Sequence, residues 1–227
     1  WNGKVRMAGQ SHGAGPAFAV AAYAETYTPA LDIRGTGAAE IPYMTPQIAQ
    51  ALLADPGKPA KGSKNEPDPV VAYALLMGAS EAGLNPAFNP AEAFTPKAMT
   101  AFQAASQMCL PALMNVIRAD GLTRPNTFQP GLAHALAPVL QAMTYPTLKL
   151  NAPLFVGAGT ADVDVAPQAQ LLLVKNACQA GTTVQAHLYK GLDHSQTVLA
   201  SLKDTEAFTA AVMANEPVTP DCAPTPQ

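Results

Sequence analysis

Three residues of this 227-residue chain have types and settings suited to nucleophilic catalysis: Ser11, Asp162 and His194. Ser11 stands in Gly9-Gln10-Ser11-His12-Gly13, a G-x-S-x-G pattern. Before it, Val5-Arg6-Met7-Ala8 alternates like a strand; after it, the Ala- and Val-rich residues 17–24 read as a helix. Strand, sharp turn and helix is the context in which this pattern lifts a serine hydroxyl over the end of a sheet. The helix N-terminus there points free N–H groups at any developing negative charge. Such a turn leaves little room for neighbouring side chains, so Gly9 and Gly13 are expected to be required on either side of Ser11. Alone the pattern is weak, and an incidental serine in a glycine-rich turn is the competing reading.

A serine nucleophile needs a base, and the base needs an acid that orients it and stabilises its charged form. The chain has four His residues. The ring of His12 points away from Ser11 in an elbow, so its backbone N–H matters more than its ring. His134 falls in a helical stretch and His187 inside an alternating strand; both read as structural. His194, in the loop Gly191-Leu192-Asp193-His194-Ser195, is the base by context. Asp162 and Asp164 compete as the acid, and Asp162 comes first after its strand and a Gly-Thr-Ala turn. Asp193 adjoins the base, but adjacent loop side chains rarely face each other, so it is assigned a structural role.

The elements that must position these residues follow from periodicity and turn chemistry. Residues 31–35 read as a second strand and 35–39 as a tight loop leaving it, closing a strand–helix–strand unit with parallel pairing. Residues 46–54 have helical spacing, 55–68 form a polar Pro/Gly/Lys-rich loop, and 69–83 form a helix with Pro at its start and Gly at its end. Thr95-Pro96 opens a longer helix that Pro111 should kink or break, and 130–143 form another. No strand alternation appears between 44 and 145. Sheet sequence resumes at 153–157, a helix follows over 168–180, a strand over 184–189, a last helix over 197–213, and a Pro-rich tail to 227. The expected organisation is sheet-forming parts at 1–43 and 151–227 around a helical insert at 44–150. Met77, Met99, Phe102, Met108, Met114 and Met143 either form an ordinary helical core or line an adaptable apolar pocket. On the second reading Met77 and Phe102, with Gly9, Gln10 and Gly13 of the elbow, border the substrate.

Composition narrows the classes. Apolar residues make up 48% and charged residues 13%, with a net charge of −3 and no basic run. A nucleic-acid partner is therefore not expected. No apolar stretch is long enough to span a bilayer. There is no C-x-x-C and no His/Cys cluster, so no metal is expected, and no cofactor motif is present. Cys109, Cys178 and Cys222 make an odd count, which leaves at least one thiol unpaired within the chain; all three could equally be free buried thiols. No signal peptide is visible, because Trp1-Asn2-Gly3-Lys4 leads straight into a strand. An elbow at residue 11 also arrives before the strands that normally precede it.

The order Ser11, Asp162, His194, with Gly159-Thr160-Ala161-Asp162, Val165-Ala166-Pro167 and Asp193-His194, resembles the α/β-hydrolase superfamily. The helical insert and the distances along the chain between the three residues are similar to those of the secretory lipases of the lipase-A type. The resemblance implies an α/β fold: a mostly parallel sheet with a large helical cap inserted between strands and the N-terminal strands missing. It implies Ser11 as nucleophile, His194 as base, Asp162 as its orienter and the His12 N–H as one oxyanion donor. It also implies a Cys178–Cys222 disulfide, hence a secreted or periplasmic protein. Nothing in the chain matches the family's second oxyanion donor, so the chain is expected to be the C-terminal two-thirds of such an enzyme. The implied activity is hydrolysis of small-molecule or lipid esters, as a lipase or carboxylesterase. A peptidase or amidase on the same fold, or an incomplete piece needing its N-terminal part or a partner chain, are the alternatives.

Overall fold

A computed structural model describes residues 3–48 and 67–227. The elements used below are, in chain order, β1 (Lys4–Gln10), α1 (Ala14–Tyr27), β2 (Asp32–Ala39), α2 (Pro69–Leu84), α3 (Met99–Ala105), α4 (Leu110–Ala119), β3 (Leu154–Gly159), α5 (Pro167–Gln179), β4 (Val184–Tyr189) and α6 (His194–Ala214). The chain divides into two compact units, one of residues 1–43 and 145–227, the other of residues 44–144.

The first unit is built on a sheet in the order β1-β2-β3-β4, every described pair parallel. β3, Leu-Phe-Val-Gly-Ala-Gly, is buried along its whole length, as a parallel strand covered on both faces should be. Phe155 packs on Phe208 of α6, ring centroids 5.7 Å apart, with Val212 in the same cluster. Phe18 of α1 is wholly buried and packs against Tyr145 at 4.4 Å. The Tyr145 hydroxyl donates to the Pro42 carbonyl at 2.6 Å, tying the end of the first chain segment to the start of the second.

One sequence expectation is corrected here. Gly35-Thr36-Gly37-Ala38-Ala39 is not a loop but the second half of β2. The strand lies between β1 and β3, so its backbone groups are taken up on both sides. Its small residues serve packing rather than turning. A Cβ at Gly35 would come within 3.0 Å of Val212 Cγ2, and one at Gly37 would collide with the Arg6 guanidinium. The remaining elements of this unit fall where periodicity places them, with ends extended by a few residues.

The second unit is helical and packs around α2. Its core includes Val71, Leu75, Phe94, Leu113, Ile117, Leu132 and Leu136. Asp68 caps α2 through the Val70 N–H at 2.9 Å and is ion-paired to Arg124. The long helix expected from residue 95 ends at Ala105, and a separate helix, α4, starts at Leu110 with Pro111 in its first turn. Pro111 thus begins a helix instead of kinking one, because the first turn does not need its N–H. The helix expected over 130–143 is likewise two short pieces, Leu132–Ala135 and Ala137–Ala142, the second with Pro at its start. An isolated antiparallel bridge joins Phe94 and Phe128. Of the helix expected over 46–54, residues 46–48 are helical, and the rest, like residues 55–66 of the polar loop, lies outside the described residues.

The last residues lie along the free edge of β4. Asp221 N–H donates to Val184 O at 2.8 Å, Ala186 N–H to Asp221 O at 3.2 Å, and Gln227 N–H to Leu188 O at 2.9 Å. An exposed edge that would otherwise template pairing with another chain is covered. Cys178 at the end of α5 is disulfide-bonded to Cys222 in this tail, while Cys109 is free and exposed. The bridge spans 44 residues. Closing a loop of that length removes on the order of 4 kcal/mol of unfolded-state entropy. Cys222→Ser should therefore lower the unfolding free energy in a denaturant titration by about 2–4 kcal/mol. An unchanged midpoint would mean that the tail is held by its hydrogen bonds alone.

Candidate active site

β1 delivers Ser11 to the C-terminal end of the sheet. Residues Ser11–Gly13 form a single 3-10 turn that runs directly into α1. Ser11 has φ +52°, in the left-handed region that a residue with a side chain occupies only when its surroundings impose it. Gly9 is what allows the turn: a Cβ there would run into the Gly13 carbonyl and the Ala14 nitrogen. Gly13 is not needed in the same way, since a Cβ on it would meet nothing within 4 Å. Ser11 is half-buried, and Gln10, His12 and Gly13 are exposed. The His12 backbone N–H belongs to the turn that leads into α1, where helix dipole and free N–H groups favour negative charge.

Asp162 follows β3 in a loop pinned to its neighbours: Thr160 N–H donates to Tyr189 O at 2.9 Å and Ala161 N–H to Leu192 O at 3.0 Å. Asp162 is only 5% exposed. Burying a carboxylate is costly unless its lone pairs are used, and here they are. Oδ1 accepts the N–H groups of Asp164 and Val165, both at 2.9 Å, and Oδ2 accepts the Gln170 amide at 3.2 Å. Oδ2 also faces His194 Nδ1 at 2.9 Å. Of the two carboxylates that compete in the sequence, Asp162 takes the ring nitrogen, while Asp164 lends its backbone N–H to Asp162.

His194 opens α6. Asp193, the residue before it, is the N-cap and accepts the N–H groups of Ser195 and Gln196 at 3.0 and 2.8 Å. Capping, rather than orienting the ring, is its task. With Nδ1 carrying the proton shared with Asp162, Nε2 is an acceptor. It lies 3.4 Å from the Gln10 amide nitrogen, next in the chain to Ser11. Three loops thus converge on one ring: the β1 turn through Gln10, the β3 loop through Asp162, and the start of α6. Burial would lower the pKa of His194, but the hydrogen bond and charge of Asp162, aided by Asp164 and Glu40, outweigh it and raise the value. Ligand atoms of Asp162, Asp164 and His194 all lie within 4.8 Å of one another, a spacing that admits a cation. The Asp162 oxygens and His194 Nδ1 are already engaged with each other and with N–H donors, so this donor set fits an acid–base pair better than a metal.

Glu40 was not foreseen from sequence. It directly follows β2, is 0% exposed and has φ +48°. Burial and, less strongly, Asp162 push its carboxyl up to about 7, against the opposing pull of Gln10, His194 and Thr197. No motif marks it. The available signal is topological: it ends a parallel strand at the same side of the sheet as Gln10 and the Asp162 loop. Met77 and Phe102 belong to the helical unit. Phe102 is only 9% exposed and packs on Phe94 with ring centroids 5.2 Å apart, and Met77 packs on the same cluster.

The raised His194 value is testable. Its imidazole should titrate above about 6.5 by NMR, and Asp162→Asn should bring the midpoint down, since burial is then opposed only by the more distant charges of Asp164 and Glu40. A group whose folded pKa is raised contributes stability that is complete below the unfolded value. That contribution is lost as pH rises through the folded value, so the stabilisation from this pair should fade toward the alkaline side. A wild-type midpoint below that of Asp162→Asn would contradict the arrangement.

No family model matches the chain, and no curated protein matches its sequence. Solved structures do match. Candida antarctica lipase A in its closed state superposes with a TM-score of 0.70 at 20% identity, over 99% of this chain and 52% of that one. A Legionella pneumophila protein assigned provisionally as a hydrolase gives 0.71 at 19% identity, over 96% and 58%. The rice cell wall degrading esterase LipA from Xanthomonas oryzae gives 0.66 at 16% identity, over 94% and 58%. The chain therefore spans between half and three-fifths of the length of these structures, and at such identities the likeness is one of architecture: it has the α/β-hydrolase fold, with a helical unit inserted between β2 and β3 of a parallel sheet.

Proposed function

We propose that this chain carries the catalytic site of a serine ester hydrolase, a lipase or carboxylesterase, with Ser11 as nucleophile, His194 as base and Asp162 as its orienter. The observation that carries the reading is the Asp162–His194 bond of 2.9 Å, with Nε2 turned toward Gln10, the residue bonded to Ser11. In this reading the Gln10 amide yields Nε2 to the Ser11 hydroxyl. Nε2 takes the hydroxyl proton as Oγ bonds to the ester carbonyl carbon, and the His12 N–H stabilises the resulting oxyanion. The imidazolium, balanced by Asp162, gives its proton to the leaving alcohol as the C–O bond breaks. Water, deprotonated by His194, then releases the acid from Ser11.

The names of the structural neighbours, two of them lipase or esterase, support an ester as substrate. The Cys178–Cys222 bond supports an oxidising compartment, extracellular or periplasmic. Among the described residues no helix is long and apolar enough to cross a membrane. A second reading is favoured by the 52–58% share of the matched structures that the chain spans. In it, the site turns over only when completed by further chain.

Ser11→Ala should lower kcat on a p-nitrophenyl ester on the order of 10⁴-fold or more, while His12→Ala, which keeps the backbone N–H, should leave it within about tenfold. An esterase rate that survives Ser11→Ala would overturn the assignment. Faster cleavage of aminoacyl amides than of esters would replace the ester reading by a peptidase. Turnover only by a longer chain containing this one would favour the second reading.

A further inference from the structure

The catalytic reading leaves one buried acid without a task. Glu40 is fully buried, and its carboxyl oxygens lie near the Gln10 amide and the Thr197 hydroxyl without a well-formed hydrogen bond to either. Asp162, equally hidden, accepts two backbone N–H groups and a Gln170 amide. The polar groups turned toward Glu40 come from every element around it: Gln10 from β1, Asp162 from the β3 loop, His194 and Thr197 from α6. Tyr189 of β4 also feels its charge, and the Tyr189 hydroxyl is itself committed to Asp204 at 2.7 Å.

The backbone holds Glu40 in this position against cost. Its φ of +48° is unfavourable for a residue with a long side chain. Its N–H is bonded to Gly157 O at 2.8 Å, which carries the pairing of β2 with β3 one residue past the strand and aims the side chain inward. A buried, unpaired carboxyl costs stability that an isosteric amide or an apolar residue would not. A strained backbone and a weakly satisfied buried acid, within electrostatic reach of one imidazole, mark a group retained for its charge.

We propose that Glu40 is a positioning residue, a second acid that acts through space on His194 from the β2 side as Asp162 acts through a hydrogen bond from the β3 side. When ionised it stabilises the imidazolium; when protonated it releases it. Gln10, which faces both groups, links them. Because burial pushes the Glu40 carboxyl up to about 7, its support of the imidazolium should switch on across the neutral range, and the two groups should titrate as a coupled pair. The positioning role rests on His194 being the base; the charge coupling does not.

The test uses the His194 imidazole, followed by NMR in the folded full chain, in wild type, Glu40→Gln and Glu40→Asp. Glu40→Gln should lower the His194 midpoint by about 0.5 to 1 unit and reduce its titration to a single step. Glu40→Asp, which keeps the carboxyl and tolerates a left-handed backbone better, should stay closer to wild type. A folded Glu40→Gln with the wild-type midpoint overturns the proposal. Should Glu40→Gln not fold, a Glu40→Asp protein that lacks the two-step titration overturns it. In ester hydrolysis, the ratio of wild-type to Glu40→Gln kcat should grow several-fold as pH rises through 7, and a ratio constant with pH rules out the positioning role. Absence of turnover by wild type would strike the esterase reading, and the NMR result would still decide the coupling.

Discussion

The 2.9 Å hydrogen bond between Asp162 and His194 is the interaction on which the site depends. It joins residues 32 apart in sequence, and each is held by its own neighbours as well. Asp162 is held by the N–H groups of Asp164 and Val165 and by Gln170, and His194 by the capped start of α6. The ring is therefore not free to rotate, and its second nitrogen must face the β1 turn. Parallel β1, β2 and β3 bring their C-terminal ends to one side of the sheet, where open α/β sheets bind ligands. The left-handed Ser11 and the close approach of Gly9 to Gly13 are the local cost of that convergence.

The same place shows two ways of burying an acid. Asp162 is satisfied by hydrogen bonds: both oxygens accept N–H donors, and Oδ2 also faces His194. Glu40 is not, and burial moves its carboxyl toward neutrality instead. Charges on His194 and Asp162 pull Glu40 in opposite directions, which makes it responsive to the state of the pair. At the far edge of the sheet a different constraint applies. β4 would expose unpaired backbone groups, and the Cys178–Cys222 bridge keeps the tail residues against it.

Much of this was legible in the sequence because it is encoded locally. A strand followed by Gly9-Gln10-Ser11-His12-Gly13, and a loop bearing Asp162 after a later strand, follow from period and turn chemistry alone; His194, expected in a loop, instead opens α6, whose cap lies at Asp193. The β2 segment from Gly35 to Ala39 was not legible, because its glycines answer to Phe208, Val212 and Arg6 across the fold rather than to a turn. The break expected at Pro111 is present, but that proline belongs to the start of the next helix, and the break after Leu132–Ala135 was missed because proline marks a helix start as readily as a helix break. Glu40 carries no motif; only the parallel register brings it to the side of the sheet where its charge reaches His194.

Covalent labelling reaches the central claim without a substrate. A fluorophosphonate reacts only with a serine whose proton is removed by a neighbouring base, so the adduct reports nucleophile and base together. After proteolysis and tandem mass spectrometry of the labelled chain, the account predicts a single phosphonate on Ser11, formed more slowly in Asp162→Asn. An adduct on another hydroxyl, or an unlabelled Ser11 in a chain whose His194 titrates normally, would contradict it.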